Sequence, residues 1–78
     1  MKKLDRITID SRVRMGQPII RGMRITVSVI LKMLAAEKSV NDVLAAYPEL
    51  ERQDVLQAME YAAWVSSDQV IVEHLVAV

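Results

Sequence analysis

Arginine is the residue type whose placement in this chain points most directly to chemistry. Arg21 and Arg24 bracket Gly22 in the stretch GQPIIRGMRIT, residues 16–26, which contains both glycines of the chain. A guanidinium group binds phosphates and carboxylates through paired hydrogen bonds. Because glycine allows the backbone to reverse direction, we expect a tight turn that places the two arginines on either side of it.

Residue types needed for catalysis or metal binding are scarce. The chain contains no cysteine and one histidine, His74, which lies in the C-terminal tail. The acidic residues of the second half are expected on solvated helix faces: Asp42, Glu49, Glu51, Asp54 and Glu60. An active site needs polar groups that converge in one place, and the pattern predicts no such convergence. We therefore expect a protein that is not an enzyme and that binds no metal or cofactor.

The charged residues are unevenly distributed along the chain, although the formal net charge is zero. Residues 1–32 contain eight basic and two acidic residues, and residues 33–78 contain two basic and eight acidic ones. Such a division indicates an oppositely charged partner, because a field of one sign attracts and steers the other. The alternative is that the two halves neutralise each other within one fold or across a dimer.

The length of the chain allows one compact domain of marginal stability. Of its 78 residues 53% are hydrophobic and only 4% aromatic, so we expect an aliphatic core with apolar surface left for another subunit. This favours a homodimer or a higher oligomer. The apolar runs are shorter than a membrane-spanning helix requires, and the N-terminus lacks a signal-type apolar region, so we expect a soluble cytoplasmic protein.

The hydrophobic pattern predicts a β arm or hairpin over residues 1–27 and helices over residues 28–65. The first helix is expected to end near Glu37. The second begins at the capping-box sequence SVND, residues 39–42, and stops before Pro48. The third starts in PELERQD and reaches about Val65. Three helices with a tight turn between the second and third are typical of a helix-turn-helix core, so the fold class is mostly α.

Residues 66–78 are predicted to be an apolar C-terminal tail, because Ser66, Ser67 and Asp68 interrupt the helical pattern. An exposed segment this apolar indicates contact with a partner or with a second copy of the chain. The side chains expected to make that contact are Val70, Ile71, Val72, Leu75 and Val76. The alternative is that the tail folds back over the helices of its own domain.

Three stretches, RITID, GQPIIRGMRITVSVIL and YPELERQDVLQAMEYAA, resemble the bacterial domain-of-unknown-function family four-thirty-three, whose members are similar to antitoxins. The resemblance covers residues 6–63. It implies a short β arm followed by a homeodomain-like or winged helix-turn-helix unit, and a neighbouring toxin that is often a PIN-like ribonuclease. The chain departs from the family pattern at five positions: Met15 and Glu37 replace glycines, Met23 and Glu51 replace threonines, and Thr26 replaces a proline.

The resemblance and the charge pattern together predict the antitoxin of a type II toxin-antitoxin pair. It would bind a PIN-like ribonuclease directly, with an arginine placed in the carboxylate cluster that coordinates the nuclease metal. It would also repress its own operon by binding operator DNA. The alternatives are a stand-alone helix-turn-helix regulator without a toxin and a structural adaptor that binds neither a toxin nor DNA.

Two groups of residues are candidates for DNA contacts. In a helix-turn-helix the second helix of the motif enters the major groove, and here that helix offers Arg52, Gln53 and Gln57 on its expected exposed side. The basic arm would contact phosphates or the minor groove. Its candidate residues are Arg6, Arg12, Arg14, Arg21 and Arg24. A role in pairing with the acidic helices is the alternative for each of these arginines.

Overall fold

The computed structural model describes residues 4–69, which form three α-helices and a two-stranded antiparallel sheet. The strands are β1 (Ile7–Thr8) and β2 (Ile19–Ile20). The helices are α1 (Val27–Ala35), α2 (Val40–Ala46) and α3 (Arg52–Gln69). The prediction of a mostly helical chain with a β hairpin near its N-terminus is confirmed.

The hydrophobic core lies where β2 meets the three helices. Its buried members are Ile20, Val27, Ile30, Val43, Leu50, Val55 and Ala58. All of them are aliphatic, as the composition predicted, and burying a side chain such as valine or isoleucine contributes about 1.5–3 kcal/mol each. Tyr47 and Tyr61 pack against the edge of this cluster.

The predicted turn after β2 is present. The N–H of Met23 donates to the carbonyl of Ile20 at 2.7 Å, and the N–H of Ile20 donates to the carbonyl of Ile25 at 3.0 Å. Arg21 and Gly22, the two central residues, have positive φ angles of 45° and 74°. Positive φ at both central positions is the pattern of a type I′ turn, which suits the twist of a β hairpin.

Residues 25–27, at the end of the predicted β arm or hairpin, do not form a strand. Ile19 and Thr26 make an isolated antiparallel bridge. The hydroxyl of Thr26 then accepts the N–H of Val29 at 3.1 Å and caps α1, so the helix begins at Val27. An N-cap residue keeps extended backbone angles while its side chain binds a helical N–H, which is why one residue serves both the bridge and the cap.

Helix α1 ends through a residue with left-handed backbone angles. Glu37 has a φ of 68°. Its N–H donates to the carbonyl of Leu34, and the N–H of Lys38 donates to the carbonyl of Met33, each at 3.0 Å. These two bonds form a Schellman motif. At this position glycine would be unstrained.

Helix α2 begins and ends where the sequence predicted. Ser39 and Asp42 form a capping box, in which the Ser39 hydroxyl accepts the Asp42 N–H and the Asp42 carboxylate accepts the Ser39 N–H. Two hydrogen bonds with Ser39 lower the pKa of the Asp42 carboxyl group. The bond from the Ser39 backbone has the larger effect, and the bond with its side chain has the smaller one. The helix ends at Ala46, ahead of Pro48, because a proline restricts the residue before it.

Helix α3 runs to Gln69, so the prediction that it stops near Val65 is wrong. The hydroxyl of Ser67 donates to the carbonyl of Trp64 at 2.9 Å, which satisfies the serine within the helix. The five tail residues predicted to contact a partner lie outside the described residues. Within residues 4–69, no helix combines the length and apolar character required to cross a membrane.

Candidate partner-binding surface

Two arginines of the predicted DNA-binding arm converge on Asp54 of α3. Arg21 forms a bidentate pair, with Nε 3.0 Å from Oδ1 and Nη2 2.9 Å from Oδ2. Arg6 adds a bond from Nη1 to Oδ1 at 3.0 Å. The carboxylate of Asp54 is fully buried, and the two guanidinium groups screen it from solvent. A bidentate geometry is the strongest form of this pairing.

Asp54 also caps the N-terminus of α3. Its Oδ2 accepts the backbone N–H of Glu51 at 2.7 Å, which is the reciprocal half of a capping box. Burial alone would raise the pKa of Asp54, but the hydrogen bonds from Arg21, the Glu51 backbone and Arg6 outweigh it and lower the pKa. The expectation that Asp54 lies on a solvated helix face is wrong, because cationic side chains from the arm cover it.

Gln57 is a second link between the N-terminal segment and α3. Its Oε1 accepts the backbone N–H of Arg6 at 2.9 Å, and its Nε2 donates to Oδ1 of Asp5 at 2.8 Å. The side chain is buried, so the prediction that it lies on the exposed side of the helix is wrong. Two more bonds complete the contact, from Arg6 Nη1 to Glu51 Oε1 at 2.7 Å and from Arg21 Nη2 to the Glu49 carbonyl at 3.1 Å.

The remaining candidate DNA-binding residues are at the surface. Arg12 pairs with Asp10 at 3.1 Å and stays largely exposed. Arg52 donates to Oδ1 of Asn41 at 2.8 Å, and Gln53 is exposed beside it. Arg14 and Arg24 are exposed too, and within residues 4–69 their side chains form no ion pair or hydrogen bond. These two guanidinium groups are the ones left available to a ligand.

Arg14 belongs to a segment that we call the left-handed turn, residues 14–16. Arg14, Met15 and Gly16 have φ angles of 51°, 58° and 80°. The N–H of Gly16 donates to Val13 and the N–H of Gln17 donates to Arg14, at 3.1 and 3.2 Å. The side chain of Met15 is 94% exposed. Two consecutive residues with side chains therefore hold a conformation that costs roughly 1–2 kcal/mol each relative to right-handed backbone.

An open apolar groove of about 360 Å³ lies between α1 and the C-terminal half of α3. We call it the α1–α3 groove. It is lined by Gln17, Pro18, Val27, Ser28, Leu31, Lys32, Tyr61, Ala62, Val65 and Ser66. Nearby on α3, the rings of Tyr61 and Trp64 are in contact in a tilted arrangement, with centroids 6.0 Å apart and 52° between the ring planes, and Trp64 is 42% exposed. The end of α3 thus presents apolar surface that the described core does not cover.

The comparisons with known proteins bear on the family of the chain. A family model described as "Protein of unknown function (DUF433)" matches residues 7–62. The chain belongs to this family. The match runs from β1 into α3, so the DUF433 region includes Asp54, Arg21 and the left-handed turn, whereas Arg6 lies one residue before it. No curated protein and no solved structure matches the chain.

The helical spacing of residues in the sequence was a signal that Asp54 is buried. Asp54 and Ala58 are four residues apart in α3, so the helix places them on one stripe, and Ala58 is a core residue. An acidic residue on such a stripe must be paired when buried.

Within residues 4–69, no cluster of histidine, cysteine, aspartate or glutamate side chains is arranged to hold a metal ion.

Proposed function

We propose that this DUF433 protein is the antitoxin of a type II toxin-antitoxin pair and that it neutralises a PIN-like ribonuclease by direct binding. The left-handed turn carries the proposal. It keeps Met15 in solvent at 94% exposure and in a strained backbone conformation, although the side chain adds nothing to the core. Strain retained at an exposed position supports a role in binding rather than in packing.

The side chains of the turn suit the proposed partner. A PIN-like nuclease holds its metal ion with clustered carboxylates, and the guanidinium of Arg14 would pair with those carboxylates and obstruct the metal site. Met15 follows it directly and offers a flexible apolar contact. Arginine and methionine are both enriched at protein interfaces, whereas a phosphate backbone gains nothing from methionine.

The placement of the other arginines also supports a protein partner. Arg6 and Arg21 are held by Asp54, and buried Gln57 is removed from the predicted recognition surface. Arg24 and the Arg52–Gln53 pair remain for operator DNA, with α2 and α3 as a homeodomain-like or winged helix-turn-helix. In this proposal a cytoplasmic homodimer inhibits the toxin and represses its own operon.

The decisive experiment is inhibition of the ribonuclease encoded by the adjacent gene. Purified wild-type chain is expected to abolish cleavage of a fluorogenic RNA at equimolar ratio. Arg14→Glu places a like charge against the carboxylates and is expected to raise the inhibition constant at least about ten-fold, which corresponds to 1.4 kcal/mol. Arg12→Glu is the matched control, because Arg12 is exposed and two residues away. An adjacent nuclease that the wild-type chain leaves fully active contradicts the proposal.

A stand-alone DNA-binding regulator is the second candidate. It is favoured by the exposure of Arg52 and Gln53 at the first turn of α3. If Arg24 contacts a phosphate, Arg24→Ala is expected to reduce the slope of log K against log salt by about 0.9 in a gel-shift titration. Lys38→Ala is the control, since Lys38 is an exposed cation at the end of α1. Tight operator binding without nuclease inhibition would favour the regulator over the antitoxin.

A further inference from the structure

The α1–α3 groove continues the core-facing stripe of α3. Val55 and Ala58 on this stripe are fully buried, whereas Ala62 and Val65, further along the same face, line the groove and are half-buried. Residues spaced three and four apart share a helix face, so one apolar surface is covered in its first half and open in its second. The groove is an unfilled part of the core.

We propose that residues 70–78 of the same chain occupy this groove. The segment follows directly after Gln69, one turn beyond Val65 and Ser66, which line the groove. Its sequence, VIVEHLVAV, is apolar except for Glu73 and His74. A chain segment of that composition matches a groove whose lining surface is mostly apolar, because burial removes apolar surface of both from water.

The length of the segment is sufficient to reach the whole groove. The groove extends along α3 from Tyr61 to Ser66, about 8 Å at the helical rise of 1.5 Å per residue. Nine residues in extended form span up to about 30 Å, so residues 70–78 can reverse direction after α3 and still run along the groove.

Charge complementarity fixes an orientation for the segment. Lys32 is exposed at the rim of the groove, on α1. Glu73 is the one acidic residue of the segment 70–78. A segment that enters beside Ser66 and passes along α1 brings the Glu73 carboxylate to the Lys32 ammonium, while the residues around Glu73 contact Leu31 and Val65.

A tethered segment has an advantage over a second copy of the chain. A short connection gives an effective concentration in the millimolar range, far above the concentration of a micromolar protein solution. The groove is therefore filled within one chain before a neighbouring molecule can fill it. This proposal goes beyond the antitoxin function, because it depends on neither the nuclease nor DNA.

Paramagnetic relaxation in the full chain tests the proposal. The sequence has no cysteine, so Ala77→Cys provides one site for a nitroxide label. We expect strong broadening of the backbone amides of Gln17, Ser28 and Leu31 on the groove side. We expect little broadening at Asn41 and Gln53, which do not line the groove. Broadening of both sets equally, or of neither, overturns the proposal.

A mixed sample separates the same chain from a second copy. Isotope-labelled wild-type chain is combined with spin-labelled chain that carries no isotope. Broadening of the groove residues in this sample would assign the groove to another molecule and contradict the proposal; its absence supports docking within one chain.

A charge exchange tests the orientation. Lys32→Glu is expected to decrease the docked-to-undocked ratio, read from the same broadening, by about two- to five-fold, as for an exposed ion pair. Combining it with Glu73→Lys is expected to restore the ratio. Arg52→Glu, at a cation outside the groove, is the control. If Lys32→Glu lowers the docked-to-undocked ratio and the double variant does not restore it, the Lys32–Glu73 contact is contradicted.

Discussion

Asp54 accepts hydrogen bonds from two arginines of the N-terminal segment and thereby joins that segment to the helices. Its carboxylate accepts hydrogen bonds from the guanidinium groups of Arg6 and Arg21 and from the backbone N–H of Glu51, just before α3. The carboxylate is fully buried, whereas the side chains of Arg6 and Arg21 are partly exposed, so removing the carboxylate would cost the hydrogen bonds it accepts rather than leave a buried cation. The fold therefore depends on this carboxylate.

Asp54→Asn is expected to reduce the free energy of unfolding by about 1–3 kcal/mol, because the buried site loses the charged acceptor of the hydrogen bonds from Arg6, Arg21 and the Glu51 N–H. Urea denaturation followed by circular dichroism measures the change. Glu49→Gln is the matched control: that side chain is exposed, and we expect a change within about 0.5 kcal/mol. Equal effects of the two substitutions would contradict the structural role of Asp54.

The contribution of Asp54 should also depend on pH. Its pKa in the folded chain lies below the reference value of 3.8, so the unfolded chain takes up its proton first as the pH falls. The stabilisation is complete above the unfolded pKa and is lost as the pH falls through the folded pKa. The difference in stability between the wild-type chain and Asp54→Asn is therefore expected to be constant at neutral pH and to shrink below about pH 3.8. A difference that grows on acidification would reverse this assignment.

At the scale of elements, Glu37 and Met15 hold left-handed backbone angles at positions where glycine would be unstrained. Glu37 closes α1 in a Schellman motif, and Met15 is central to the left-handed turn. The two positions have different surroundings, because one ends a helix and the other extends into solvent. Replacing each residue by glycine tests whether its backbone strain affects only the stability of the fold or also accompanies binding to a partner.

Glu37→Gly is expected to stabilise the chain by about 0.5–1 kcal/mol, since the relief of left-handed strain exceeds the extra backbone entropy of glycine in the unfolded state. Thermal denaturation measures it. Ala36→Gly is the control, because Ala36 has a φ of −85° and gains no relief. Destabilisation by both substitutions would contradict the inferred strain.

Met15→Gly is expected to give a similar increase in stability and also to weaken binding to the proposed nuclease. The exposed methionine contributes no packing within the described fold, so its removal affects only strain and the partner contact. Denaturation and the nuclease inhibition assay are measured on the same variant. Increased stability with unchanged inhibition would remove Met15 from the partner contact.

At the scale of the whole molecule, the oppositely charged halves of the chain meet where Arg6 and Arg21 pair with Asp54. Arg6 and Asp54 are 48 residues apart in sequence, and their contact makes the N-terminal segment a layer of the fold. The exposed cations Arg14 and Arg24 remain outside this layer. The molecule therefore uses some of its basic residues for internal pairing and presents others to solvent.

Limited trypsin digestion tests this division. Under native conditions we expect early cleavage after Arg12, Arg14 and Arg24, and cleavage after Arg6 and Arg21 only through unfolding, because their side chains are held by Asp54. Mass spectrometry of timed samples identifies the order. Asp54→Asn should accelerate the late cleavages selectively. Cleavage after Arg6 as fast as after Arg14 would mean that the N-terminal segment is a free arm.

Local sequence signals predicted much of the fold. The capping box at Ser39, the turn at Gly22, the stop before Pro48 and the aliphatic core each depend on residues close in sequence or on composition. The end of α3 was mispredicted because serine and aspartate are weak interruptions that a helix tolerates when the hydroxyl binds a nearby carbonyl.

The sequence by itself determined that basic and acidic residues occupy opposite halves of the chain and that arginines flank a glycine turn. Only the tertiary structure decided which arginines form ion pairs within the fold and which remain unpaired at the surface of residues 4–69. Arg6, Arg14, Arg21 and Arg24 have the same chemistry, and local periodicity cannot tell them apart. Their roles differ because the packing of β1 and β2 against α3 brings two of them to one buried carboxylate and leaves the other two in water.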